Sequence, residues 1–337
     1  MEKPFLSICI PTYNRVDTLK LLLDSIVSQD SHELQIVISD NGSTDKSQEL
    51  IETYKSYFHN CKVYYFDKNM GFVTNILNVV AIAEGDYCWI VGSDDAVLPN
   101  AIADILVILK FKSPNLFLFN RIQWNFKSSV KIKEYWISKT ISEFEITYVN
   151  YEQIGKYLDV ANSVGALCSY ISTVIFKRNI WNKFRDGKEL QFAGHPQSYM
   201  HMKNIFDTGN FYYKNIHLVY CRFGGEDSAL EPSNPHKRVL LDLQEFKTIS
   251  NLITNDKILI AKFNGILKRY TSISKIIKVF YYGQYDNSLS TSFKLFESIG
   301  FSKLLLSILL FLSKPKFIRY LGYIKSNLVK RKYRDQY

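Results

Sequence analysis

Two adjacent carboxylates, Asp94 and Asp95, follow directly on an apolar run at 87–91. A pair of this kind at a strand end can ligate a hard divalent cation and bridge it to phosphate oxygens. Ser-Asp-Asp is equally a helix-capping sequence, and the dipeptide alone does not separate the two readings. Asp40 is the first polar residue after the apolar run 34–39. Its carboxylate can take a hydrogen bond from the imide N–H or amino group of a base, or close an Asx turn. Gly42 and Gly71 permit tight turns or a close approach of backbone to a ligand.

These residues need elements to hold them, and the pattern supplies a repeating set. The stretches 5–10, 34–39, 62–66 and 87–91 predict strands, with 5–10 and 87–91 reading as buried. Between them, 17–29, 47–58 and 72–83 carry apolar residues at helical spacing, the first with Leu19, Leu22, Leu23 and Ile26. Strands alternating with helices at this pitch predict a doubly wound, mainly parallel sheet with flanking helices, an α/β fold. Ligands bind such sheets beyond the carboxyl ends of the strands. The polar clusters 11–15, 40–45, 67–71 and 92–95 each follow a strand, so four segments bring their polar groups to one edge of the sheet. From about residue 115 the rhythm changes. Strands are expected at 116–119, 130–136, 174–177 and 211–222, with mixed or antiparallel pairing, and helices at 151–158 and 196–206. After Pro235 the chain reads as helical, which divides it into an α/β domain at 1–235 and a helical, basic region at 236–337.

Composition narrows the function. The 337 residues are 47% hydrophobic and 22% charged, with 15 glycines and 8 prolines, which excludes collagen-like, low-complexity and disordered classes. The formal charge is +10, but residues 266–337 hold 14 Lys/Arg and 3 Asp/Glu, a net of +11. The rest of the chain is therefore at −1, and the basicity belongs to the C-terminal region. Five scattered cysteines without a CxxC pair point to a reducing compartment. No signal-peptide pattern opens the chain, and the longest apolar run, 304–312, is far short of the roughly 20 residues that span a bilayer. There is no GxGxxG after the first strand, no GxxxxGK[ST], no GxSxG and no zinc-spaced His/Cys set.

The segments Ile10-Pro11-Thr12-Tyr13-Asn14-Arg15, Ile38-Ser39-Asp40-Asn41-Gly42-Ser43-Thr44-Asp45, Lys68-Asn69-Met70-Gly71, and Gly85-Asp86-Tyr87 leading to Gly92-Ser93-Asp94-Asp95 stand in order and at matching spacing. Together they resemble the family 2 glycosyltransferases, which have the GT-A fold. Further on, 165–181 and 194–202 look like the abequosyltransferase-type enzymes of bacterial O-antigen synthesis. The resemblance implies that Pro11, Tyr13, Asn14, Asp40 and Asn69 line the site for a nucleotide. Asp94 would face its ribose and phosphate side, and Asp95, with Asp94, would bind Mg²⁺ or Mn²⁺. The family often has one more Asp where this chain has Gly92. The implied reaction moves a sugar, with inversion, from a UDP- or CDP-linked donor to a hydroxyl. The family commonly draws its base from a Glu-Asp pair; this chain has Gly194-His195-Pro196-Gln197 there. His195 is then the first candidate base, since imidazole titrates near neutral pH, with Asp186 and Glu189 as fallbacks. His195 is also a plain helix-start residue before Pro196. Arg222, ahead of Gly224-Gly225-Glu226-Asp227-Ser228, resembles the family's late Arg-containing loop, where Glu226 or Asp227 would add a metal ligand; Arg222 is equally a structural ion-pair residue.

The apolar run 301–312 is followed by Lys314, Lys316, Arg319, Lys325, Lys330, Arg331, Lys332 and Arg334, interleaved with Phe311, Phe317, Tyr320, Tyr323 and Tyr333. Basic, aromatic-rich helices lie on anionic membrane surfaces; the alternative is a C-terminal helix packed on the catalytic domain with a solvated basic face. A lipid-linked oligosaccharide acceptor at the inner face of a bacterial cytoplasmic membrane would explain such a tail. A nucleic-acid partner is not expected, because the near-neutral body offers no continuous basic groove. Two other readings stand beside this one. A sugar-1-phosphate nucleotidyltransferase would use a similar sheet, but the first strand lacks a Gly-rich, basic loop. A degenerate sugar-nucleotide binder or assembly scaffold would fit the missing Glu-Asp pair and Gly92.

Overall fold

A computed structural model of the chain describes residues 3–125, 128–184, 195–222 and 235–315. The chain divides into two compact units, Met1–Asp227 and Ser228–Tyr337. The sequence places the division at 235, where the first helix of the second unit begins; the residues between the two boundaries lie outside those described.

The first unit opens with β1 (Leu6–Thr12), α1 (Val16–Val27), β2 (Leu34–Asp40), α2 (Ser47–Lys55), β3 (Cys61–Tyr65), α3 (Phe72–Ala81) and β4 (Tyr87–Ile90). It continues through β5 (Asp95–Val97), α4 (Ala101–Lys112), β6 (Leu116–Trp124), β7 (Lys131–Lys133), β8 (Glu143–Ile146) and α5 (Tyr151–Val160). Two 3-10 turns, Val164–Leu167 and Ile171–Thr173, lead into β9 (Val174–Lys177), α6 (Arg178–Phe184), α7 (Pro196–Thr208) and β10 (Phe211–Arg222). The strands form one sheet in the order β3-β2-β1-β4-β9-β6-β10-β5, with β7 on β6 and β8 on β10. The β3-β2-β1-β4 part is parallel throughout. Every residue of β1 and β2 is buried, as strands covered by helices on both faces require. The core between sheet and helices holds Leu19, Leu22, Leu23 and Ile26 of α1 against Ile8, Ile10, Trp89 and Phe119.

The second half of the sheet is mixed. β9 runs antiparallel to both β4 and β6, and β10 runs parallel to β6 and antiparallel to β5. β6 and β10 therefore end at the same edge as β1 to β4, and β9 and β5 begin there. The expected strand at 130–136 contracts to Lys131–Lys133. The backbone N–H of Trp136 is taken by the Asn120 side chain (3.0 Å), not by a neighbouring strand.

The second unit consists of α8 (Pro235–Ile253), α9 (Lys257–Tyr270), α10 (Ile273–Gly283), α11 (Leu289–Ser298) and α12 (Lys303–Leu312). Polar caps punctuate it: Asp256 accepts from Ile258 N (2.7 Å), Ser272 from Lys275 N, and Ser302 from Leu305 N. α10 packs on α8, α11 and α12, burying Phe246, Ile276, Val279, Phe280 and Phe296. Among the described residues no helix is long and apolar enough to cross a membrane.

Candidate active site

Register aligns the ends of the parallel strands. Thr12 stands opposite Asp40, and Asp40 opposite Tyr65, so the loops after β1, β2 and β3 leave the sheet side by side. Asn41 knits them together. Its backbone N–H donates to Thr12 O (2.9 Å), its Nδ2 to Asn69 Oδ1 (2.9 Å), and its Oδ1 accepts from Met70 N (2.8 Å). Asn14 adopts a left-handed φ of 50°, which asparagine tolerates, and its Oδ1 accepts from Thr44 N at 2.7 Å. Gly42 is required: its φ is 73°, and a Cβ there would stand 2.6 Å from the Lys68 carbonyl carbon. Pro11 is buried behind this network, whereas Tyr13, Asn69, Met70 and Phe72 are exposed along it.

Asp40 is fully buried, and its carboxylate closes the Asx turn. Ser43 N (3.0 Å) and Gln48 Nε2 (2.9 Å) donate to Oδ2, and the Ser43 hydroxyl donates to Oδ1. A nucleotide base reaching Asp40 would share an acceptor already in use.

Asp94 and Asp95 are separated by their surroundings. Asp95 opens β5, opposite Cys221 of β10, and is 2% exposed. The capping alternative falls away here: Asp95 opens a strand, the next helix begins only at Ala101, and the Asp95 carboxylate accepts from Tyr170 Oη (2.6 Å) and from the Ser172 hydroxyl. Burial pushes the Asp95 carboxyl up, to about 7, with the charge of Asp94 adding to the rise. Hydrogen bonds from Ser172 and Tyr170 and the Arg121 charge oppose it. Asp94 is half-buried and faces Arg15 of the first loop, with Nη1 3.7 Å from Oδ2. A Cβ built on Gly92 would stand 3.0 Å from Asp94 Oδ1 and 3.1 Å from Asp95 Oδ2, so both carboxylates come close beside Gly92, where a larger residue would crowd them. The residues fit a hard divalent cation: oxygen donors only, and a buried acid whose ionised form a nearby positive charge would favour.

Behind Asp95 lies a network that the sequence did not disclose. The Arg121 guanidinium sits 4.0 Å from the Tyr170 ring centroid and 5.1 Å from that of Trp136, and pairs with Glu134. Gln123 donates to the other Glu134 oxygen at 2.8 Å. Ser172 Oγ also accepts from Gly92 N (2.9 Å), and the Ser172 carbonyl accepts from Trp89 Nε1 (2.9 Å). The one available signal was Arg121 itself, a charge interrupting the apolar strand 116–122.

Of the remaining candidates, Arg222 ends β10 at this same edge, one residue past Cys221. His195 is buried at the N-cap of α7, directly before Pro196. The start of α7 is tied to the Tyr170 segment, because Ser198 Oγ donates to the Cys168 carbonyl at 3.1 Å. Asp186, Glu189 and the loop 224–228 lie outside the described residues.

Residues 7–174 match the family model for glycosyl transferase family 2. Abequosyltransferase RfbV of Salmonella typhimurium is 28% identical over 314 residues, spanning 90% of this chain and 92% of that one. The chondroitin synthase of Pasteurella multocida is 34% identical over 100 residues, 29% of this chain and 10% of that one. Among solved structures, S. aureus TarS 1–349 in complex with UDP matches with a TM-score of 0.62 at 18% identity, over 94% of this chain and 88% of that one. Mannosyltransferase PcManGT from Pyrobaculum calidifontis, in complex with GDP-Man and Mn²⁺, matches with a TM-score of 0.51 at 12% identity, over 95% and 84%. The structural matches carry the GT-A-like fold, a mixed sheet with flanking helices followed by a helical region. The chain belongs to glycosyl transferase family 2 and is a glycosyltransferase.

Proposed function

We propose that this enzyme moves a hexosyl or deoxyhexosyl group from a UDP- or CDP-linked donor to a hydroxyl of a lipid-linked surface polysaccharide of the O-antigen type. The reaction inverts the anomeric centre and requires Mg²⁺ or Mn²⁺. The observation that carries the reading is the pair of carboxylates brought together beside Gly92, at the edge where the loops of β1, β2 and β3 converge. The likeness to RfbV over nearly the whole chain supports an O-antigen-type acceptor. The neighbours solved with UDP, UDP-GlcNAc, and GDP-Man with Mn²⁺ support a nucleotide-sugar donor and a metal. The basic C-terminal region supports an acceptor presented at the cytoplasmic face of a bacterial membrane.

In this reading the base lies along Tyr13, with Asn14, Asn69 and the Asp40 turn forming the rest of its pocket, while Pro11 backs it. Asp94 and Asp95 hold the cation, which when bound neutralises the charge that develops on the departing diphosphate. Tyr170 and Ser172 fix the orientation of Asp95 and favour its ionised form. Arg222 approaches the diphosphate from the end of β10. Inversion needs a base that takes the proton of the attacking hydroxyl. His195, on the helix tied to the Tyr170 segment, fills that role, with Asp186 and Glu189 as the alternatives. The test is transfer from UDP- and CDP-sugars to lipid-linked oligosaccharides, read by mass spectrometry, with the product linkage read by NMR. An inverted linkage that chelator abolishes is expected. A retained configuration, or transfer unaffected by chelator, would contradict the mechanism.

A further inference from the structure

In the second unit α12 has two unlike faces. Leu306 and Leu309 are buried where the helix packs on α10 and α11. On the opposite side Leu304 is 74% exposed, Ile308 49% and Phe311 51%. Their spacing, i, i+4 and i+7, sets all three on one face. Single exposed apolar residues are ordinary; three large ones in a row form a patch that calls for an occupant. Lys303 at the start of the helix and Lys314 just past its end flank this stripe, both exposed; the Lys303 ammonium also pairs with Glu297 at the surface (3.1 Å), and the Lys314 ammonium is 5.3 Å from the Phe311 ring centroid. Ser302 caps the start, so the helix is fixed up to the edge of the stripe.

Charge decides what covers it. Within the described part of this region, 266–315, there are 7 Lys/Arg against 2 Asp/Glu, a net of +5, so the unit that bears the patch is positively charged. A second copy of the chain would bring the same charge against it. An anionic bilayer supplies both requirements at once: acyl chains for the stripe and acidic headgroups for the lysines. At 10 residues α12 is too short to cross a bilayer, which leaves it lying along one.

We propose that the Leu304, Ile308 and Phe311 face of α12 docks on an anionic lipid surface, with the helix axis in the headgroup plane and Lys303 and Lys314 reaching outward to phosphates. Lysines at such a boundary keep their stems in the apolar layer and their ammonium groups among the headgroups. The proposal rests on the membrane reading above and narrows it to one helix face.

The test is co-sedimentation of the full chain with vesicles of phosphatidylglycerol in phosphatidylcholine, against phosphatidylcholine alone. The variant Leu304→Ser with Ile308→Ser and Phe311→Ser changes exposed positions only, and a thermal melt checks that the unit stays folded. Leu304→Ser alone, at the most exposed position, serves if the triple variant unfolds. The wild type is expected to sediment with the anionic vesicles. The triple variant should lose partitioning by about tenfold or more, given the apolar area withdrawn, and the single variant by a smaller factor, with nucleotide binding unchanged. If the folded variants sediment as the wild type does, the assignment to α12 is overturned and the membrane reading survives through residues 316–337. A wild type that stays in the supernatant with both vesicle types overturns both. Light scattering supplies the remaining arm: a dimeric wild type that the substitutions render monomeric, with no vesicle binding by either, would assign the face to self-association and overturn the proposal.

Discussion

Ser172→Ala removes two contacts with one atom. The hydroxyl donates to Asp95 Oδ2 and accepts from Gly92 N, and the residue is fully buried. A hydrogen bond to a charged partner contributes about 1.5–3 kcal/mol. Only the ionised form of Asp95 accepts this bond fully, so its loss raises the carboxyl further, by about 1–2 pH units at about 1.36 kcal/mol per unit. The native carboxyl already sits near 7, held up by burial and by Asp94. At neutral pH the variant would therefore have Asp95 mostly protonated, and a cation would have to displace that proton before binding. Mn²⁺-dependent nucleotide affinity should fall about 5- to 50-fold near pH 7 and recover towards pH 9, as the raised carboxyl ionises. Calorimetric titration of nucleoside diphosphate with Mn²⁺ across that range reads both effects. Equal affinity in variant and wild type at every pH would refute the role of Ser172. A loss that does not vary with pH would show that the hydroxyl acts on shape and not on ionisation.

Two further outcomes follow from single residues. Gly42→Ala forces a side chain into a φ of 73° and against the Lys68 backbone at 2.6 Å. It should cost about 2–4 kcal/mol in denaturant unfolding, and a cost under about 1 kcal/mol would contradict the close approach. His201 is buried against the stacked pair Phe176 and Trp181, and burial lowers its folded pKa from 6.5 to about 3. The unfolded chain therefore binds a proton that the folded chain refuses, and stability is lost as pH falls from the unfolded value towards the folded one. About 2 kcal/mol should disappear between pH 7.5 and pH 5; His201→Phe should remove that part of the slope, and an unchanged slope would contradict the assignment.

The parallel half of the sheet was legible because strands covered on both faces are mostly apolar, and 5–10 and 34–39 are so, their buried exceptions Ser7 and Gln35 hydrogen-bonding each other at 2.8 Å. Their polar ends were legible for the same reason: a buried strand sheds its polar residues at its exit. What spacing does not encode is strand order. β9 inserts between β4 and β6, and β10 separates β6 from β5. Those insertions bring Tyr170 and Ser172 onto Asp95, and Arg121 onto Tyr170, across separations in sequence of tens of residues. The Asp40 alternatives could not be separated in advance either, since the turn closes through Gln48 of the following helix as well as Ser43. In α12 the uniform apolar run 304–312 hid two faces that only packing on α10 distinguishes.

The central claim is that Asp94 and Asp95 hold a cation that binds a donor nucleotide at the edge of the sheet. Titration of UDP, CDP, GDP and dTDP, with and without Mn²⁺, into the wild type and Asp95→Ala tests it most directly. One nucleotide, UDP or CDP, should bind the wild type with Mn²⁺, and removing either the metal or the carboxylate should abolish that binding. Equal binding without Mn²⁺, or in Asp95→Ala, would contradict it.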